Sequence, residues 1–170
     1  GVRLVGSEMC IRDSAMVYYM PTHDFSIGFG QTKIKANRAR VNSSSALQFV
    51  DRSIVNSEFN LDRDFGFFAE YYKPVVGDFN VALKGSITLG EGRNWSTSSQ
   101  GGLAYTGRVE LFPFGRFKSL GDIAEGDFER EEHVKVLLAG AYSFNNKTNR
   151  LQGQNGAYIP NNELRDLNSY

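Results

Sequence analysis

FNVALKGSITL, residues 79–89, is the stretch that decides the fold. Phe79, Val81, Leu83, Gly85, Ile87 and Leu89 fall on one face of an extended chain, and Asn80, Ala82, Lys84, Ser86 and Thr88 on the other, because successive side chains of a strand point to opposite sides. The alternation lasts eleven residues. Strands of soluble sheets usually run about five or six residues, whereas a tilted strand that crosses a bilayer needs about 9–11. Length therefore favours a membrane strand, with Lys84 and its neighbours on a face that meets water.

The same period recurs on both sides of this stretch. Phe65, Phe67, Ala69 and Tyr71 oppose Gly66, Glu70 and Tyr72, with Phe68 as an exception on the polar side. Leu103, Tyr105, Val109 and Leu111 oppose Ala104, Thr106, Arg108 and Glu110, and Val134, Val136, Leu138, Tyr142 and Phe144 oppose Lys135, Ala139, Ala141 and Ser143. Phe25, Ile27 and Phe29 alternate with Ser26, Gly28 and Gly30, after which the phase changes and Lys33 and Lys35 flank Ile34. A bulge near the glycines would account for that change. Ala15–Met20 reads as one more strand end, turned by Pro21–Asp24. The expectation is about six antiparallel strands over residues 15–144. Connections alternate in length, tight at Pro74–Asp78 and long and polar at Ala36–Asp62 and Gly90–Gly102, as they do between the two rims of an outer-membrane barrel. Phe114–Glu132 is too long for its short-turn side.

Composition agrees with alternating membrane strands. The 170 residues include 13 Phe, 8 Tyr and 18 Gly at a mean hydropathy of −0.37, and no apolar run approaches the roughly 18 residues of a membrane helix. Nineteen basic and nineteen acidic residues leave no net charge, so nothing points to nucleic acid. The single cysteine, Cys10, excludes an internal disulfide and a thiolate zinc site. Residues 1–14, GVRLVGSEMCIRDS, look like translated sequencing-adapter read-through and are set outside the fold. A genuine strand at Val2–Val5 is the alternative. Residues 145–170 are polar and Asn-rich, and read as an outer loop cut short.

Within the long connection, Ser44 and Ser45 precede Leu47, Val50 and Ile54 at helical spacing, which predicts about two turns of helix. It would lie inside the lumen or over its mouth. The expected water-facing positions carry Lys33, Lys35, Lys84, Arg108 and Lys135 against Glu70 and Glu110, and Arg38, Arg40 and Arg52 lie in the long connection. Fixed positive charge in a narrow, low-dielectric channel concentrates anions, and the forked arginine donors suit phosphate or carboxylate. These eight basic residues are the candidate anion path.

GQTKIKANRARVNSSSALQFVDRSIVNSEFNLDRDFGFF (Gly30–Phe68), above all LQFVDRS (Leu47–Ser53) and LDRDFG (Leu61–Gly66), together with GRVELFPFGRFKSLGDIAEGDFERE (Gly107–Glu131), resembles the phosphate-selective porin O/P family of Bacteroidetes-type outer membranes. The resemblance implies an internal fragment of a transmembrane β-barrel of about sixteen strands, homotrimeric, embedded in outer-membrane lipid and passing inorganic phosphate or other small anions. It also treats the long 114–132 connection as a family feature.

The rival reading is a soluble β-barrel or sandwich that binds a small ligand, in which the apolar face would be the inside. Tyr71, Tyr72, Phe112, Phe114, Tyr142 and Phe144, near the strand ends, suit aromatic girdles instead. An outer-membrane enzyme is the third reading, but no Gly-x-Ser-x-Gly elbow and no phosphate-binding glycine loop is present, and nothing looks catalytic. No cofactor is expected. His23 and His133 have no partner at ligand spacing, and Glu58, Asp62 and Asp64 do not match a calcium loop.

Overall fold

The structure is a computed structural model that describes residues 2–6, 14–42, 47–52, 54, 56, 60–92, 102–118, 124–127, 129–148 and 165–169. Strands β1 (Val2–Gly6), β2 (Ala15–Tyr19), β3 (Phe25–Lys33), β4 (Arg63–Val76), β5 (Phe79–Thr88), β6 (Ala104–Phe112), β7 (Leu138–Thr148) and β8 (Arg165–Ser169) form one sheet. Every strand pairs antiparallel with its neighbours in sequence, so the topology is an up-and-down meander. The chain is all-β, and the strands anticipated over 15–144 are the six from β2 to β7. One helical turn, α1 (Arg38–Val41), lies in the first long connection.

The deciding stretch becomes β5, paired with β4 over Phe79–Thr88 and with β6 over Asn80–Thr88. The tight turn is a two-residue hairpin in which Val76 pairs with Phe79 across Gly77 and Asp78. Gly77 has φ +55°, a value that glycine supplies without steric cost at a hairpin turn. Pro74, which has no N–H to donate, sits where the β4–β5 register shifts.

Three sequence expectations change, and strands are found in both terminal segments. The bulge expected near Gly28 and Gly30 is absent, since β3 keeps one register with β4 from Phe25 to Lys33 and one with β2 from Ile27 to Gln31; the phase change comes where the strand ends, at Ile34. The helix expected over Ser44–Ile54 gives way to bends at 48–51, with residues 43–46, 53 and 55 outside the described set. Phe49, Val50 and Ile54 are exposed, so no buried face rewards helix there, and α1 forms earlier, where the Asn37 side chain accepts the Ala39 N–H. Val134 and Val136 precede β7 instead of belonging to it. Val2–Gly6, assigned to the excluded leader, pair with β2. Of the outer loop expected at 145–170, residues 145–148 continue β7 and Arg165–Ser169 form β8, because ladder hydrogen bonds come from the backbone and tolerate polar side chains; residues 149–164 and 170 lie outside the described set.

The register aligns side chains into rows across the sheet. Val17, Phe29, Phe67, Ile87, Tyr105 and Phe144 form one row, followed by Tyr19, Ile27, Ala69, Gly85, Gly107 and Tyr142, then by Phe25, Tyr71, Leu83 and Val109. This face is apolar and open, with Phe67 58% and Ile87 48% exposed. Phe29 stacks at a tilt on Phe67 (4.7 Å) and edge-on against Phe65 (5.0 Å). The opposite face carries Glu70, Ala82, Thr106, Glu110, Ser143 and Asn145, all buried. Of the expected girdle aromatics, Tyr71 and Tyr142 share the apolar face, whereas Tyr72 and Phe112 lie on the polar one, Phe112 only 1% exposed.

Candidate functional site

What buries the polar face is the connection that leaves β3. Lys33 ends the strand, and Ile34 and Ala36 turn onto the polar face to pack with Met16 and Phe68, forming an apolar core with Tyr18, Leu61 and Ala141 at its margin. Phe68, the exception to alternation, is thus the wall residue on which this inward segment rests. Ile34 donates its N–H to the Asp62 carbonyl (3.0 Å), tying the two ends of the long connection together.

Charged side chains fix the segment around that core. Lys35 Nζ donates to Glu70 Oε1 at 2.6 Å, and the Tyr72 hydroxyl donates to Glu70 Oε2 at 3.1 Å. On the next strands Lys84 Nζ donates to Glu110 Oε2 and Arg108 Nε to Glu110 Oε1, both at 2.6 Å. Arg108 also donates through Nη1 to the Ala36 carbonyl. Glu70 stands directly opposite Lys84, and Lys84 opposite Arg108, so the contacts run in a circuit from Lys35 across β4, β5 and β6 and back to Ala36. Burial works against the charge on Lys35, but the Glu70 carboxylate and the hydrogen bond it accepts outweigh it and hold the ammonium pKa above its ordinary value. The Tyr72 ring lies beneath two cations, Arg116 at 4.6 Å and Lys84 at 5.6 Å from its centroid.

A second basic group surrounds Asp62 near the end of the long connection. Arg40 grips the carboxylate through two donors, at 3.0 and 2.6 Å, and Arg63 Nη1 lies 3.5 Å from it. Arg52 donates to the carbonyls of Ala39 (2.8 Å) and Asn42 (3.1 Å), bracing α1. Nearby, Asp64 accepts the N–H of Gly90 (2.7 Å) while Asn145 donates to the Gly90 carbonyl (2.9 Å), which anchors the start of the next connection.

Connections 34–62 and 113–137 leave opposite ends of the sheet yet meet. Arg38 Nη2 donates to the Ala124 carbonyl at 3.2 Å, and the Gln48 N–H to Glu125 Oε2 at 2.9 Å. The long 113–137 connection, awkward as a simple turn, therefore reaches back towards the inward segment.

Of the eight sequence candidates, the structure gathers Lys35, Lys84 and Arg108 on the polar face, and Arg40 and Arg52 near Asp62. Arg38 joins the two connections. Lys33 lies off the polar strand face: it shares the register side of Phe29 and pairs with Arg63 at the strand end, within electrostatic reach of Arg40, Arg52 and Asp62. Lys135 precedes β7 and donates to the Phe114 carbonyl at 2.7 Å. Sequence reading missed Arg63, Arg116 and Tyr72 as members of these clusters. Tyr72 is legible from its parity with Glu70, although its place near a strand end also suits a girdle ring. Asp62, weighed as a calcium ligand, is the anchor of arginines instead. Among the described residues, no group of three or more His, Cys, Asp and Glu side chains could hold a metal ion.

No protein-family model matches the chain, and no curated protein and no solved structure matches it.

Proposed function

We propose that this chain is part of the wall of an outer-membrane β-barrel pore that passes small anions, phosphate among them, by diffusion through a water-filled lumen. One observation carries the reading: the sheet is inside out relative to a soluble one. Its aromatic and aliphatic rows are the open face, and its lysines, arginine, carboxylates and hydroxyls are the enclosed one. Lipid covers an apolar face of this breadth without a partner protein, and water in a lumen solvates the charged one. A soluble sandwich needs the opposite assignment, with Phe29, Phe67 and Ile87 against a second sheet and the Glu110 pairs facing bulk solvent.

Among the described residues, β1 and β8 are each paired on one side. Unpaired edges are not tolerated in hydrocarbon, so the barrel needs further strands, and about sixteen in all fits the family that the sequence resembles. The trimer belongs to the same proposal. Within the lumen, the inward segment Ile34–Ala36 narrows the path. Lys35, Lys84 and Arg108 exceed Glu70 and Glu110 by a single positive charge, and the Arg40, Arg52 and Arg63 group carries more basic than acidic charge around Asp62. With Lys33 and Lys135 outside the polar strand face, the resulting preference for anions is weaker than the bare sequence tally implies.

Lys84→Glu tests this in the complete pore. The substitution reverses a charge at the middle of β5 and sets a second carboxylate beside Glu110, so barrel folding is checked first by heat-modifiable migration. The reversal potential under a salt gradient should then move towards cations. A wild-type pore that prefers cations, or a folded variant with unchanged selectivity, contradicts the reading.

A further inference from the structure

Glu110 occupies a position unlike that of any other carboxylate described on the polar face. Its two oxygens each accept a hydrogen bond at 2.6 Å from a different cation, Lys84 and Arg108. Those two cations are direct cross-strand neighbours on β5 and β6, a placement that repels unless a counter-charge lies between them. Glu70 differs, since its one ion pair is with Lys35 and its other oxygen takes the uncharged Tyr72 hydroxyl. Lys35 and Glu70 cancel; Lys84, Arg108 and Glu110 together keep one positive charge. Among the ion pairs that join β4, β5 and β6 across the polar face, the surplus charge therefore resides in the Glu110 triplet.

We propose that Glu110 sets the strength of the pore's charge preference, by holding two wall cations side by side while neutralising one of them. This rests on the reading of the chain as the wall of an anion-passing pore. The triplet is nearly enclosed, with side-chain exposures of 11%, 9% and 6% for Lys84, Arg108 and Glu110, but its action on passing ions needs no contact. A fixed charge within a Debye length of the path, about 8 Å at physiological salt, acts through a low-dielectric wall that focuses its field. Removing the carboxylate deletes its negative charge and doubles the surplus of the triplet, whether or not the two cations keep their positions. Removing one cation abolishes it.

The triplet can thus be set to three charge states without altering the backbone. Lys84→Met leaves it neutral, the wild type carries one positive charge, and Glu110→Gln, which keeps shape and an acceptor oxygen, carries two. Reversal potentials of the complete pore in a potassium chloride gradient should follow that order, with Glu110→Gln the most anion-preferring and Lys84→Met the least. The double variant Glu110→Gln/Lys84→Met has the wild-type charge and should return to the wild-type potential, and all differences should shrink at molar salt. A folded Glu110→Gln pore whose potential stays at the wild-type value, or moves towards cations, overturns the role of Glu110 while leaving the anion-pore reading intact. A wild-type pore that prefers cations, or passes no ions, overturns the reading itself. Where Glu110→Gln fails to fold, the double variant decides: a wild-type potential supports the proposal, and one equal to Lys84→Met alone overturns it.

Discussion

Gly66 shows at the scale of one residue how closely the polar face is built. A Cβ added there would lie 2.2 Å from the Ile87 carbonyl oxygen, a backbone atom that cannot swing aside. Gly66→Ala should therefore destabilise the sheet by about 1–3 kcal/mol, as overpacking does. Gly107, on the apolar face, has nothing within 4 Å of its Cβ position, and Gly107→Ala should be neutral or stabilising by roughly 0.5–1 kcal/mol. Urea midpoints of the refolded barrel would separate the two, and equal effects would mean that the β4–β5 approach is looser than described. Parity alone made the side of each strand residue legible in the sequence, Glu70, Lys84, Arg108 and Glu110 among them. It could not show that Glu110 would be shared by two cations, because that depends on cross-strand register. The side of Lys33 is not legible for a related reason: it follows from β3 running unbroken through Gly30, and glycines that suggest a bulge also occur where two strands simply approach closely.

At the scale of elements, long strands were readable because period two over nine or more residues has few other causes. Connections were not readable, since their structure is set by what they touch. Leu47, Val50 and Ile54 have helical spacing, but Val50 is 99% exposed, while the residues that do pack, Ile34 and Ala36, are too few to form any period. The inward segment is held by two wall contacts, Lys35 to Glu70 and Arg108 to the Ala36 carbonyl. Replacing both donors, Lys35→Met with Arg108→Met, should loosen the segment and raise single-channel conductance in a barrel that still migrates as folded. Each single variant should have a smaller effect, because Ile34 and Ala36 remain in their core with Met16 and Phe68. Unchanged conductance in the double variant would place the narrowest point of the path elsewhere.

For the whole molecule, everything proposed depends on which face of the sheet meets lipid. Strand β5 tests this most directly, since residues 81–88 alternate between the two faces without a break in register. With Cys10 replaced by serine, single cysteines placed in turn at each position of this run can carry a nitroxide label in the complete barrel in lipid vesicles. Collision with oxygen reports hydrocarbon, and collision with a charged nickel chelate reports water. Labels at 81, 83, 85 and 87 should favour oxygen, and those at 82, 84, 86 and 88 the chelate. A pattern of the opposite phase, or no alternation at all, would contradict the membrane-wall reading.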